Sequence, residues 1–145
     1  MYRKIVVGTD GSASAGRAVS KAAELAELTG AELHIVSAIR TGSPAVMEAT
    51  VPIAFPDKTW EADREAALDR ILDEAKRPFA GRLDVRTHGR SGDPGEAILQ
   101  VATAVDADLI VVGNRGMQGF RRILGNVPNQ VSHAAPCSLL IVHTS

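Results

Sequence analysis

The stretch KIVVG at residues Lys4–Gly8, followed directly by TDGS at residues 9–12, decides the fold of this 145-residue chain. A short run of β-branched residues that ends at a glycine is typical of a strand buried on both faces. From Ser14 to Thr29 the apolar residues follow helical spacing, and Gly30 stands where a helix C-cap glycine belongs. We expect Ser14 to cap this helix at its N-terminus. The sequence therefore predicts a strand, a turn and a helix at the start of the chain.

The same alternation of strand and helix continues to the end of the chain. Four more apolar runs predict strands, at residues 31–39, 83–89, 107–113 and 138–143. Three more segments predict helices, at 58–77 with Asp57 as N-cap, at 94–105 with Asp93 as N-cap, and at 127–134. Between the second strand and the second helix, residues 41–56 contain three prolines, which favours a long loop of the kind that often covers a site.

Five strands that alternate with four helices favour right-handed crossovers and a parallel sheet covered on both faces. We predict one doubly wound α/β domain over residues 1–145. Ligands bind such sheets outside the carboxyl ends of the strands, at the point where the strand order reverses. Three loops follow such ends, beginning at Gly8, Arg40 and Gly113, and we expect them to converge on one crevice.

Composition disfavours several classes of function. The formal net charge is −1 and no basic block occurs, which argues against a nucleic-acid partner. Aromatic residues make up 3% of the chain, so platforms for stacking bases are not expected. No apolar stretch approaches the ~20 residues of a membrane span, and the single cysteine, Cys137, suits a reducing compartment. We expect a cytoplasmic protein that contacts neither nucleic acid nor membrane.

The segment VVGNRGMQGFRRILGN, at residues 111–126, combines four glycines with three arginines after the fourth predicted strand. Its spacing matches neither the dinucleotide fingerprint nor the P-loop. Small residues still allow a backbone to approach a ligand, and Arg115 adds positive charge. Asn126 can cap the last helix, so that the first amides of that helix face a phosphate. The alternative is that these glycines only turn the chain at a strand end.

Asp10 is the candidate carboxylate at the end of the first strand. It can contact a ribose hydroxyl or help to hold a divalent metal on phosphates. The alternative is an aspartate that bonds its own turn before Gly11. The four histidines lack the spacing of a zinc site, so each is expected to be packed or at the surface. No G-x-S-x-G elbow supports a serine nucleophile.

Together these motifs resemble the universal stress protein family, the UspA-like members of the adenine-nucleotide alpha-hydrolase-like superfamily. The resemblance covers essentially the whole chain and rests on KIVVGTDGS (4–12), GDPGEAIL (92–99), ADLIVVGNRGMQGF (107–120) and LGNVPNQVSHAAPCSLLIV (124–142). ATP-binding members of that family carry G-x2-G-x9-G-[ST] after the fourth strand. This chain has eight residues between Gly116 and Gly125, followed by Asn126, so it resembles the ATP-binding subgroup with a variant glycine loop.

The resemblance implies a site for ATP with Mg²⁺, a homodimer that pairs through the last strand, and a sheet in the order 3-2-1-4-5. It places Asp10 near the ribose and phosphates, where it can contact the metal, and it places Ala38 against the adenine. The residues that it implies for nucleotide binding are Thr9, Asp10, Ala38, Gly113, Arg115, Gly116, Gly125, Asn126 and Val127.

The first functional hypothesis is a regulatory protein of the stress response that binds ATP. We expect slow hydrolysis or none, and at most a slow ATPase, because no general base is evident beside the phosphates. The first alternative is a binding module for cyclic AMP or AMP. A second is a nucleotide-free dimeric interaction protein, and a third is a true hydrolase.

Overall fold

The computed structural model describes residues 1–40, 57–114 and 127–144, where strands and helices alternate as the sequence predicts. The strands are β1 (Lys4–Gly8), β2 (Glu32–Ile39), β3 (Val85–Ser91), β4 (Leu109–Gly113) and β5 (Ser138–Val142). The helices are α1 (Ala13–Thr29), α2 (Asp57–Lys76), α3 (Pro94–Val105) and α4 (Val127–Ala134), and a 3₁₀ turn at Arg77–Phe79 follows α2. Within these ranges, no helix has the length and apolar character needed to cross a membrane.

The five strands form one parallel sheet in the order β3-β2-β1-β4-β5, which confirms the predicted topology. Strand β1 lies in the centre, where Ile5 pairs with Leu33 of β2 on one side and with Leu109 of β4 on the other. All three of these side chains are buried. Burial on both faces explains why β1 and β4 are continuous apolar runs rather than alternating ones.

Helices cover both faces of the sheet. Helices α1 and α2 pack on one face, and α3 and α4 pack on the other. Helix α1 presents a row of alanines to the sheet, including Ala18, Ala22 and Ala26, which are fully buried. Small side chains allow the helix backbone to lie close to the strands. On the other face the sheet meets larger side chains, among them Ile98 and Val101 of α3.

Ser12, rather than Ser14, caps helix α1. The Ser12 Oγ accepts the amide hydrogen of Ala15 at 3.1 Å, which is the bond expected of an N-cap residue. The expectation for Ser14 was wrong because Gly11, at φ 86°, already turns the chain and the helix begins at Ala13. The Ser14 hydroxyl is therefore available for contacts elsewhere.

Two other predicted helix ends are confirmed. Gly30 ends α1 in the left-handed conformation, at φ 72°, and its amide donates to the carbonyl of Ala26. Asp93 begins α3, and its carboxylate accepts the amide of Glu96 at 3.0 Å. Both ends follow from local chemistry, namely the freedom of glycine at positive φ and the carboxylate acceptor of aspartate.

Strand β3 begins two residues later than the sequence predicts. The chain turns at Gly81, at φ 86°, and Leu83 forms an isolated bridge with Ala80 before the ladder with β2 begins at Val85. Leu83 therefore belongs to a local turn, while the carbonyl of Asp84 already accepts the amide of Leu33 in β2 at 2.9 Å.

The carboxylate of Asp108 joins the starts of β1 and β4. It accepts the backbone amide of Lys4 at 2.9 Å and that of Arg3 at 3.1 Å. Burial raises the pKa of this carboxyl, but the backbone hydrogen bonds outweigh burial and hold the pKa below its usual value. Asp108 therefore ties the start of β1 to the start of β4.

We expect Leu33→Ala to lower the free energy of unfolding by about 2–5 kcal/mol, because the truncated side chain leaves a cavity in a fully buried site. The matched control is Leu28→Ala on the outer side of α1, where the leucine is 82% exposed and the expected loss is below about 0.5 kcal/mol. Urea unfolding measures both. Equal losses in the two variants would contradict the assignment of β2 to the core.

Candidate functional site

A cavity lies at the carboxyl ends of three neighbouring strands, β2, β1 and β4. The start of α1 and one side of α3 and α4 complete its walls. The space inside it and at its open mouth, including the solvent-filled part, is about 560 Å³. The described residues that line it are Gly8, Thr9, Asp10, Ser14, Ala15, Val36, Ala38, Pro94, Ile98, Val112, Gly113 and Val127.

The structure brings five of the nine sequence-predicted site residues around this cavity. They are Thr9, Asp10, Ala38, Gly113 and Val127. The other four, Arg115, Gly116, Gly125 and Asn126, lie outside the described residues, as does the predicted loop at residues 41–56. The carboxyl ends of β1, β2 and β4 lie at this one edge of the sheet, as the parallel topology requires.

The turn between β1 and α1 is held by its own side chains. Asp10 Oδ1 accepts the amide of Ser12 at 2.9 Å, and Thr9 Oγ1 accepts the amide of Gly11 at 3.2 Å. The amide of Thr9 donates to the carbonyl of Val36 in β2 at 2.9 Å. Asp10 is therefore a turn aspartate, as the alternative interpretation predicts, and it also borders the cavity. These two roles are compatible because a carboxylate has several acceptor positions.

Apolar side chains form the side of the cavity nearest β2. Val36 and Ala38 project from β2, and Ile98 faces them from α3. Gly8 makes this arrangement possible, because a Cβ on Gly8 would lie 2.6 Å from Ile98 Cδ1. Such a surface suits a flat, weakly polar ring rather than a charged group.

Asp93 links three elements beside the cavity. Its carboxylate accepts hydrogen bonds from Arg40 at the end of β2 and from Gln130 Nε2 of α4 at 2.8 Å, in addition to capping α3. Burial raises the pKa of Asp93, but the bonds from the Glu96 amide, Arg40 and Gln130 outweigh burial and hold the pKa below its usual value. The sequence predicts the cap but gives no signal for the two side-chain partners, which are distant in the chain.

The residues after β5 return to the cavity wall. Thr144 is 1% exposed, and its side chain lies against Gly113, where a Cβ would be 3.2 Å from Thr144 Cγ2. Its hydroxyl is 2.6 Å from Ser14 Oγ, its amide donates to Asn114 Oδ1 at 2.8 Å, and its carbonyl accepts from Arg17 at 2.7 Å. Sequence reasoning assigned no site role to Ser14, Asn114 or Thr144.

Two histidines that the sequence treats as separate lie together on β2 and β3. His34 Nδ1 is 2.9 Å from His88 Nε2, and His34 Nε2 is 3.1 Å from Glu32 Oε1. A carboxylate only accepts, so the neutral rings donate in one direction, from His88 to His34 to Glu32. Burial and the nearby His34, Arg90 and Arg86 lower the pKa of His88. Neither ring borders the cavity, and the described ranges contain no group of three side chains suited to a metal ion.

Known proteins are similar to this chain in sequence, in fold or in both. The model of the universal stress protein family matches residues 1–143. Universal stress protein Rv1636 of Mycobacterium tuberculosis is 38% identical over 147 residues, which cover 99% of this chain and 98% of that protein. A solved universal stress protein in complex with cAMP is 37% identical, with a TM-score of 0.68, over 99% of this chain and 98% of that one. The solved protein MJ0577 has a TM-score of 0.80 over 100% of this chain and 98% of that one, and at 22% identity it is alike in fold alone.

We expect Asp93→Asn to lower the free energy of unfolding at pH 7 by about 1–2 kcal/mol, because the Arg40 guanidinium loses its charged partner. The native pKa of Asp93 lies below the ordinary value of 3.8, so this stabilisation is present above pH 3.8 and disappears as the pH falls through the native pKa. The difference between wild type and variant, measured by urea unfolding, is therefore expected to shrink in acid. The control is Asp73→Asn on the exposed side of α2. A difference that is independent of pH would contradict the role given to the carboxylate.

Proposed function

The chain belongs to the universal stress protein family, and we propose that it is a cytoplasmic regulatory member of that family that binds an adenine nucleotide in the strand-end cavity. ATP with Mg²⁺ is the proposed ligand. The observation that carries the proposal is the cavity itself, which combines an apolar side, two glycines at strand ends and a single carboxylate among its described lining. Cavities of this kind at the point where strand order reverses are the usual ligand sites of doubly wound folds.

The two ends of the cavity suit the two ends of a nucleotide. Ala38 and Val36 present an apolar surface to the adenine, opposite Ile98. Gly113 lies two strands away, across β1, at a separation of roughly 10 Å, which is about the span from the base to the sugar and first phosphate. Thr9 and Asp10 lie between them at the end of β1. We assign the ribose to this middle region and to the adjoining end of β4 at Gly113, with Asp10 near the metal.

The glycine-rich segment is the proposed phosphate side of the site. Arg115, Gly116, Gly125 and Asn126 follow β4 in the sequence, and Val127 borders the cavity at the start of α4. Helix N-termini favour negative charge, and α4 begins at this edge of the sheet. The glycine spacing and its likeness to the ATP-binding subgroup support ATP as the first ligand.

Cyclic AMP is the second candidate ligand. A universal stress protein solved in complex with cAMP is 37% identical to this chain over nearly the full length of both. The segment between Gly116 and Gly125 is one residue shorter than in the ATP-binding pattern, and Asn126 replaces the hydroxyl residue. Both departures fall on the proposed phosphate side, where ATP and cAMP differ.

Binding without rapid hydrolysis agrees with the chemistry of the cavity wall. Asp10 is the single ionisable side chain in the described lining, and one of its oxygens already accepts from the Ser12 amide. General-base catalysis needs a group placed to take a proton from the attacking water. We therefore propose that the nucleotide acts as a regulatory ligand and that any ATPase activity is slow.

We also propose a homodimer that pairs through β5. This strand forms one edge of the sheet, and its Ile141 is 48% exposed. An apolar edge strand leaves backbone groups and side chains that a second copy can cover. In such a dimer each subunit would keep its own cavity, because the cavity lies at the carboxyl ends of β2, β1 and β4 and not along the outer edge of β5.

Ala38→Leu is expected to weaken ATP binding by at least about tenfold, because the added side chain fills the proposed adenine surface. Ala104→Leu is the matched control, since Ala104 is exposed on α3 and outside the cavity lining. Calorimetric titration of ATP, with and without Mg²⁺ and with cAMP as competitor, measures the affinities. Circular dichroism verifies the fold of each variant.

Three results of this titration separate the hypotheses. Tighter binding of cAMP than of ATP would make cAMP, and not ATP, the proposed ligand. Equal affinities for Ala38→Leu and wild type would place the adenine elsewhere. A folded wild-type protein that binds neither nucleotide at millimolar concentration would contradict the proposal and favour a nucleotide-free interaction protein.

Ile141→Lys is expected to convert the proposed dimer to a monomer, because a charge placed at the paired edge is costly to bury. Leu28→Lys is the control, since Leu28 is 82% exposed on α1, away from β5. Sedimentation velocity measures the oligomeric state of both. A dimer that persists in Ile141→Lys, or a wild-type protein that sediments as a monomer, would contradict pairing through β5.

A further inference from the structure

Ser14 lies on the cavity wall and is tied to a residue at the other end of the chain. Its Oγ is 2.6 Å from Thr144 Oγ1, across 130 positions of sequence. Thr144 is buried, and both its amide and its hydroxyl contact Asn114 Oδ1, at 2.8 and 3.0 Å. The three side chains form a hydrogen-bonded row behind the wall, with Ser14 at the cavity end.

The geometry fixes the direction of each hydrogen in this row. A backbone amide only donates, so the Asn114 atom that faces the Thr144 amide is the oxygen. That oxygen only accepts, so the Thr144 hydroxyl donates its one hydrogen to it. The Thr144 Oγ1 therefore accepts in its contact with Ser14, and Ser14 is the donor.

The hydroxyl hydrogen of Ser14 is thus donated to Thr144 Oγ1 and is not available to a ligand. A serine hydroxyl has one hydrogen and two lone pairs, so the side of Ser14 that faces the cavity is an acceptor. An acceptor favours a ligand group that donates, such as a sugar hydroxyl. It disfavours an ionised phosphate oxygen or an unprotonated ring nitrogen, which would bring two lone pairs together.

We propose that Ser14 is a specificity-determining residue that accepts a hydrogen bond from a ribose hydroxyl, and that Thr144 and Asn114 hold it in the acceptor state. This inference rests on the proposed nucleotide site and names a contact within it. Adenine also carries a donor, its amino group, but the proposed adenine surface is at Ala38 on β2. Ser14 contacts Thr144 beside Gly113 on β4, and β1 separates β4 from β2, at a strand-to-strand distance of roughly 10 Å.

The inference predicts a loss of discrimination between ribose and deoxyribose. Of 2′-deoxy-ATP and 3′-deoxy-ATP, one lacks the hydroxyl that Ser14 contacts. Wild type is expected to bind ATP about 5–20-fold more tightly than that deoxynucleotide, and this factor is the discrimination ratio. In Ser14→Ala this ratio is expected to fall to about 1–2, because the acceptor is gone. In Thr144→Val the ratio is expected to fall part of the way, since the released Ser14 hydrogen can turn toward the ligand while the Ser14 lone pairs remain.

The discrimination ratios are measured by calorimetric titration of the three nucleotides into wild type, Ser14→Ala and Thr144→Val. The control variant is Ser20→Ala, on the exposed side of α1. The ratio is the diagnostic readout, because a merely structural defect weakens all three nucleotides by the same factor. Thermal unfolding monitors each variant, and Thr144→Val carries the test if Ser14→Ala does not fold.

The outcomes separate this inference from the proposed function. Wild type that binds ATP and both deoxynucleotides equally would overturn the role of Ser14 and leave the nucleotide site in place. A discrimination ratio that Ser14→Ala retains in full would do the same. Folded wild type that binds none of the three would overturn the proposed function and this inference with it.

Discussion

The parallel pairing of β1 with β2 on one side and β4 on the other is the constraint on which the rest of the structure depends. Each parallel neighbour requires a crossover, and the order β3-β2-β1-β4-β5 sends α1 and α2 to one face and α3 and α4 to the other. The helices that follow β1 and β4, namely α1 and α4, therefore lie on opposite faces of the sheet. The cavity lies between the carboxyl ends of these strands and the starts of these helices.

Glycines at the ends of β1 and β4 serve packing as much as they leave room for a ligand. The space that a Cβ would take at Gly8 is occupied by Ile98 of α3, and the space at Gly113 adjoins the side chain of Thr144. From the sequence, small residues at strand ends are expected to let the protein backbone approach a ligand closely. In the structure, the space beside these glycines is taken by protein side chains, and those side chains form part of the cavity wall.

The sequence predicts the alternation of strands and helices, most element boundaries and the caps at Gly30 and Asp93, because these depend on local chemistry and on the period of apolar residues. The strand order, which the family resemblance implied, is confirmed. The expectation that Ser14 caps α1 was wrong, since the start of the helix depends on the φ of Gly11. The pairing of His34 with His88 and the row from Ser14 to Asn114 join residues far apart in the chain. No short motif encodes such contacts, which arise only once the strands are in register.

The bonds from Asp108 to the amides of Arg3 and Lys4 have a consequence for synthesis of the chain. The central strand is made before the other four strands of the sheet, yet its contact with the start of β4 closes a loop of 104 positions. Until the ribosome has added those residues, β1 can pair with β2 but its other edge has no partner in the final sheet. One edge of β1 therefore stays unpaired in the nascent chain, and release of Asp108 from the exit tunnel is the earliest moment at which the centre of the fold can be completed.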